Sequence, residues 1–262
     1  MKRILSRDNP VYKELKLLAT SSQARRKAGR TILDGVHLCE AYLVHLGKPA
    51  FCIVSEGSLN HPEVASILRQ CEVGYVQSIC LPDTLYQALS QVEHGIGLLF
   101  VVDMPQLPIP SKLAHSAVLL DGLQDPGNLG SILRSAAAAG VENVFCSKGT
   151  VLAWSPKVLR AGMGAHFILE IFENVDLVAL VRSASIPVLA TSSHAKQTIY
   201  DIDLKQPVAW LFGHEGQGVS TELLEAATHP VSIPHRGAVE SLNVAASAAV
   251  CFFEQLRQQL QR

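Results

Sequence analysis

Apolar positions along this chain follow two alternating rhythms. Short continuous apolar runs mark strands buried on both faces, and stretches with apolar residues every three or four positions mark amphipathic helices. In the C-terminal half, strands are expected at 117–121, 142–146, 167–171, 187–191, 208–212 and 230–233. Helices are expected at 128–139, 156–163, 174–184, 220–227 and 242–259. Buried strands separated by helices imply a parallel sheet covered on both faces. The same alternation is shorter in the first half. Helical spacing over 36–46 stops at Gly47, 50–54 is a strand, and Pro62 sits early in a helix running to about Gln70. A strand candidate follows at 74–79, Pro82 opens another helix, and 96–102 is an apolar strand. These make a small α/β layer. Residues 1–24 read as a short helical arm, its start marked by Asn9-Pro10.

Between the two halves lie Pro105, Pro108 and Pro110 among polar residues. Proline stiffens extended backbone and brings no donor to a sheet, so this stretch reads as a linker. The expected organisation is a basic arm with a small α/β domain over 1–104, a linker over 105–116, and a parallel-sheet α/β domain over 117–262.

Composition narrows the function classes. With 48% hydrophobic and 17% charged residues, the chain reads as an ordinary soluble globular protein. No apolar run is long enough for a membrane helix, and no apolar stretch follows the basic N-terminus as in a secretory signal. No membrane partner is expected. The six cysteines are scattered without a Cys-x-x-Cys pair. They read as reduced cytoplasmic thiols, mostly small core residues, and no zinc or other metal site is expected. The net charge of −1 hides an uneven distribution. Residues 1–30 carry nine Lys/Arg against two acids, and the rest carries 13 against 21. A basic segment on an acidic body points to a polyanion, or simply to a solvated helix face.

In parallel sheets, ligands sit in loops beyond the carboxyl ends of strands. Three such loops stand out. The first, Asp121 to Arg134, is rich in Gly, Pro and Asp and opens a small-residue helix whose only charge is Arg134. Asn128 is a good N-cap, and the loop could hold an anion at the helix N-terminus. It is neither a Walker A nor a dinucleotide-binding loop, which disfavours a small-molecule dehydrogenase. Arg134 is either aimed at a ligand or snorkels at a packed edge. The second loop is Phe212-Gly213-His214-Glu215-Gly216-Gln217-Gly218, three glycines around one carboxylate. Glycine there permits close backbone approach to a ligand. His214 reads as structural or solvent-facing. The third runs from Ile233-Pro234 to Ser241-Leu242-Asn243, where Ser241 or Asn243 caps a long Ala-rich helix. That helix could pack closely on another or present a dimer surface.

Taken together, Asn128-x-Gly130-x-Ile132-x-Arg134-x-Ala136, Phe212-Gly213-His214-Glu215-Gly216-x-Gly218, and Ile233-Pro234 with Ser241-Leu242-Asn243-Val244 resemble the three motifs of the SpoU (TrmH) family. These are RNA ribose 2′-O-methyltransferases of the SPOUT superfamily. The resemblance spans about residues 117–257, and the first half is similar to the family's N-terminal substrate-binding domain.

The resemblance implies a trefoil knot in the C-terminal domain and S-adenosylmethionine bound there, contacted by Gly213, Ile233 and Leu242. It implies a homodimer with the active site near the subunit interface. It makes Arg134 the central catalytic residue, as base or as electrostatic clamp, with Asn128, Glu215, Ser241 and Asn243 around it. His214 stands where the family more often has Asn, and His235 where Met is frequent. The function implied is 2′-O-methylation of structured RNA, ribosomal RNA foremost. The alternatives are a tRNA ribose methyltransferase, or an RNA-binding or ribosome assembly factor that keeps the fold without catalysis.

Overall fold

The structure is a computed structural model that describes residues 1–92, 95–237 and 241–261. The chain forms two compact units, one of residues 1–105 with 154–167, the other of residues 106–153 with 168–262.

The first unit is built around a five-stranded mixed sheet. Its elements are β1 (Lys2–Arg3), α1 (Pro10–Thr20), α2 (Ser22–Ala28), β2 (Arg30–Asp34), α3 (Val36–His45), β3 (Phe51–Ser55), α4 (Pro62–Val73), β4 (Gln77–Leu81), α5 (Asp83–Gln87) and β5 (Leu98–Asp103). The strand order is β1-β4-β3-β5-β2, with β5 antiparallel to both its neighbours. The N-terminal segment does not stand off as an arm. Lys2 pairs with Ile79 on β4, and Ile4, Tyr12, Leu15, Leu18 and Ala19 are buried against Ile32, Ile53, Ile79 and Leu81. An amphipathic helix with four buried residues cannot leave its apolar stripe in water, so α1 folds onto the sheet. Lys13 is left exposed on its outer side, while the half-buried Lys16 donates to the Ala88 carbonyl.

The second unit holds β6 (Ala117–Leu120), α6 (Pro126–Ala138), β7 (Asn143–Ser147), β8 (Glu170–Val175), α8 (Leu177–Arg182), β9 (Val188–Thr191), β10 (Ala209–Phe212), α9 (Thr221–Ala226), β11 (His229–Val231) and α10 (Val244–Leu260). Between β7 and β8 the chain forms α7 (Pro156–Gly162), which groups with the first unit and packs beside β2. There the Thr31 hydroxyl donates to the Trp154 carbonyl at 2.7 Å. Sequence periodicity finds this helix but says nothing of which sheet it joins.

The second sheet has the order β11-β9-β10-β6-β7-β8, and every pair in it is parallel. All four residues of β6 and of β10 are buried, as central strands covered on both faces require. On one face Leu119, Phe145, Phe172 and Leu211 pack under α8 and α9. On the other, α10 packs beside α6, and the Phe252 ring meets Phe212 edge-on at 5.8 Å. The buried Trp210 indole donates to Gln255 at 2.7 Å, which fixes α10 along the sheet. All six cysteines are buried. Among the described residues, no helix is long and apolar enough to cross a membrane, and no cluster of His, Cys, Asp and Glu is suited to a metal ion.

Candidate active site

The three loops singled out in the sequence leave the same end of the second sheet. β6 and β10 are adjacent and in register, Leu120 opposite Phe212, so the loops after them emerge side by side. In the first loop Asp125 caps α6. Its carboxylate accepts from the Asn128 N–H at 2.7 Å, and Pro126 occupies the first helical turn. The expectation that Asn128 is the cap is therefore corrected. Asp-Pro is itself a cap-and-first-turn signature, because proline there loses no hydrogen bond that the helix could have made. The consequence is functional. Asn128 lies inside the helix, and its side chain is released for contacts across the site.

Gly213 follows β10 at the tightest point of the second loop. A Cβ built on it would lie 2.1 Å from the carbonyl carbon of Gly218 and from the backbone nitrogen of Val219. Only glycine lets the loop close there. The Gly218 N–H donates to the His214 carbonyl at 2.8 Å, and Gly218 turns the chain with φ of 72°. His214 Nδ1 accepts from the Gly216 N–H at 3.0 Å, so this ring shapes the loop. The loop is tied back to the first by the Ser220 N–H, which donates to Asp121 at 3.1 Å.

Folded this way, the second loop delivers Glu215 to the first. Its carboxylate accepts from the Asp125 N–H at 3.0 Å, the Gln124 N–H at 3.2 Å and the Asn128 side-chain amide at 3.2 Å. The Asn128 carbonyl oxygen in turn accepts from the Asn243 amide at 2.9 Å. Asn243 caps α10, its oxygen accepting from the Ala245 and Ala246 N–H groups at 2.9 and 3.2 Å. A carboxylate only accepts, so the direction of every bond in this chain is fixed. Partial burial on its own would raise the Glu215 pKa. The donors around it outweigh burial and hold the carboxyl below its ordinary value.

A cavity of about 1010 Å³ opens beside this network. Asn128, Gly213, Glu215, Ile233, Ser241, Leu242 and Asn243 all line it, which brings seven of the eight residues expected from the sequence to one place. Arg134 is not among the lining residues. It lies on the exposed side of α6, six residues beyond Asn128 and about 240° round the helix, with no partner among the described residues. The cavity also takes in Thr191, Ser192, Ser193 and His194, which the sequence reading left without a role. The signal for them was available: β9 is a buried strand of a parallel sheet, and its carboxyl end leads into a polar loop. Val231 and Phe212 close the apolar floor.

A parallel sheet with a large, partly polar cavity over the carboxyl ends of its strands defines an α/β small-molecule-binding domain. Comparison with known proteins supplies the family. The model of the SpoU rRNA Methylase family matches residues 115–253, and the chain belongs to that family. An uncharacterised tRNA/rRNA methyltransferase of Synechocystis is 34% identical over 98% of this chain and 94% of its own length. The 23S rRNA (guanosine(2553)-2′-O)-methyltransferase RlmP of Bacillus subtilis is 30% identical over 97% of this chain and 98% of its own. The solved structure of an AdoMet-bound rRNA methyltransferase from Sinorhizobium meliloti superposes with a TM-score of 0.85 at 25% identity, covering 98% of this chain and 97% of that one.

Two outcomes test this geometry. Gly213→Ala forces a methyl group into the backbone of Gly218 and Val219, so the variant should lose small-molecule binding in the cavity and melt at lower temperature than wild type. A variant with unchanged binding by calorimetry and unchanged melting would refute the close approach. Glu215 has a depressed pKa in the folded state. Its contribution to stability is therefore present above the ordinary carboxylate pKa of 4.5 and lost as pH falls through the lower folded value. Wild type should exceed Glu215→Gln in thermal stability at pH 7, with the gap closing as pH drops below about 4.5. A gap that stays constant down to pH 3 contradicts the assignment.

Proposed function

We propose that this protein transfers a methyl group from S-adenosylmethionine to a ribose 2′-hydroxyl of ribosomal RNA, working as a homodimer. The observation that carries the reading is the Glu215–Asn128–Asn243 network, which laces three SpoU-type loops around one cavity. The trefoil knot implied by the resemblance belongs to the same reading, and so does a reducing, cytoplasmic setting, which six buried free thiols suit.

The cavity fits the cofactor. Ile233, Leu242 and Val231 offer apolar surface for an adenine, Ser192 offers a hydroxyl for a ribose or carboxylate, and Thr191, whose hydroxyl donates to the Leu211 carbonyl at 3.2 Å, offers an acceptor oxygen for a ribose hydroxyl. Gly213 lies so close to the backbone of Gly218 and Val219 that a side chain there would break the loop lining the cavity. Once bound, S-adenosylmethionine supplies an activated methyl group carried as a sulfonium. The protein's own part is to place the ribose oxygen in line with that group, which by itself supplies much of the rate. Asn128 and Asn243 are fixed at the rim by hydrogen bonds, and Ser241 beside them brings a hydroxyl to the cavity for the substrate. Glu215 is engaged by three donors, the Asp125 and Gln124 N–H groups and the Asn128 amide, so its role is to hold the loops and keep Asn128 in one orientation.

Arg134 acts as a cation. A guanidinium keeps its proton near neutral pH. It lowers the energy of the alkoxide that develops as the 2′-hydroxyl gives its proton to solvent water, and it grips the neighbouring phosphate through two parallel hydrogen bonds. That Arg134 lies outside the lining of the cavity in its own chain supports a place for it on the ribose side of the partner's site in the homodimer.

The test uses labelled S-adenosylmethionine with ribosomal RNA from cells that lack the protein. Label should enter as alkali-resistant 2′-O-methyl ribose, and a cofactor-binding protein that transfers none would refute the reading. Arg134→Ala should bind cofactor normally and lose about 10²- to 10³-fold in turnover. Dimers assembled from equal amounts of Arg134→Ala and Glu215→Ala chains should regain about a quarter of wild-type activity, since only a mixed dimer has one complete site. No recovery would place Arg134 in the site of its own chain.

A further inference from the structure

The first unit contains a surface that nothing above uses. Helix α4 ends in a tight turn, in which the Val76 N–H donates to the Cys71 carbonyl at 2.8 Å and the Tyr75 N–H to the Glu72 carbonyl at 2.9 Å. The residue in the left-handed position of such a turn is ordinarily glycine. Here it is Tyr75, with φ of 57°, although Gly74 stands one residue earlier. A bulky residue at positive φ is strained. The strain gains no packing, because Tyr75 is 96% exposed. Val73 beside it is 81% exposed. Strain held without a structural return is a mark of function.

The sheet register places positive charge around this ring. β1, β3 and β4 run parallel, with Phe51 opposite Gln77 and Lys2 opposite Ile79, so their amino ends lie together. β2 and β5 are antiparallel with Arg30 opposite Asp103, which brings the amino end of β2 to the same edge. That edge therefore collects Lys2 on β1, Tyr75 ahead of β4, Lys48 ahead of β3, and Arg26, Lys27 and Arg30 at the entry to β2. Lys48 lies directly against the Tyr75 turn, its Cε 3.3 Å from where a Cβ on Gly74 would be. Of these cations only Arg30 has an acidic partner among the described residues, Asp103 at 2.8 Å. Glu72 lies in the turn itself, its carbonyl accepting from the Tyr75 N–H. Five strands at about 4.8 Å spacing make an edge about 19 Å long, enough for a few nucleotides.

We propose that this edge binds an unpaired segment of the substrate RNA, one base stacked on Tyr75 and the adjoining phosphates held by Lys48, Lys2 and the Arg26–Lys27–Arg30 group. The assignment rests on the reading of the protein as an RNA-modifying enzyme and adds a strand-binding site to it. An exposed aromatic ring flanked by cations that, Arg30 apart, have no acidic partner among the described residues is the arrangement that holds single strands without reading sequence. A duplex keeps its bases stacked on each other and has none to offer the ring.

The test measures binding of the full-length protein to a fluorescein-labelled oligouridylate dodecamer and to a blunt duplex of the same length. The single strand should bind more tightly. Tyr75→Ala should weaken it about ten-fold, while Tyr75→Phe keeps it within about two-fold. Tyr75→Gly should weaken binding as much as Tyr75→Ala yet raise the melting temperature, because glycine relieves the positive φ. That pairing separates loss of the ring from loss of folding. Lys48→Ala should reduce the salt slope of binding by about 0.7. Wild-type affinity in Tyr75→Ala, or a preference for the duplex, would overturn the proposal while leaving the methyltransferase reading intact. So would a Tyr75→Ala variant that loses only self-association in light scattering. A wild-type protein that transfers methyl groups to ribosomal RNA but does not bind the single strand overturns the site alone. Failure in both assays overturns the site and the reading together.

Discussion

A single directed chain of hydrogen bonds holds the candidate active site together. It begins at the amino end of the 17-residue helix α10, where the first free N–H groups carry partial positive charge, and passes through Asn243 and Asn128 to the carboxylate of Glu215. Each amide donates toward the negative end and accepts from the positive end, so each bond polarises the next in the same sense. Reversing either asparagine would set two donors or two acceptors face to face. The chain therefore fixes two side-chain orientations, and it joins three loops that are far apart in sequence. The depressed pKa of Glu215 follows from the same arrangement, since protonation would turn an acceptor into a donor facing donors.

The network can be so exact because the ground beneath it is stiff. Central strands β6 and β10 are buried on both faces, with Trp210 and Phe212 locked against Gln255 and Phe252 of α10. The helix that contributes the Asn243 cap is thus the helix that packs on the sheet. Any shift of α10 would show at once in the loops. Small residues on α6 and α10 serve this purpose, letting the two helices lie close on one face.

Much of this was legible in the residues. Buried apolar runs alternating with helical spacing gave a parallel sheet, and the glycines and polar residues after β6, β10 and β11 marked the strand ends where the cavity lies. Other features were legible but outweighed. Asp125-Pro126 carries the cap signature of α6, yet Asn128 between two glycines drew the assignment. Thr191 to His194 sit after a buried strand, but a short polar loop without glycine resembles any other turn. The basic N-terminal segment has a helical pattern that says nothing of attachment. It belongs to the sheet because Lys2 and Arg3 pair with β4, a contact across more than seventy residues.

What the sequence by itself determined was the kind of element each segment forms, the parallel second sheet and the set of residues with chemistry at strand ends. These depend on local periodicity and on side-chain type. The tertiary structure alone decided which groups meet: Glu215 with Asn128, Lys48 with the Tyr75 turn, α7 with β2, and Arg134 outside the cavity its neighbours line. Partnership depends on strand order and register, and these are set by pairings between segments dozens of residues apart. A helix fixes the angle between Asn128 and Arg134 from the sequence, but only the packing of that helix decides which of the two faces the site.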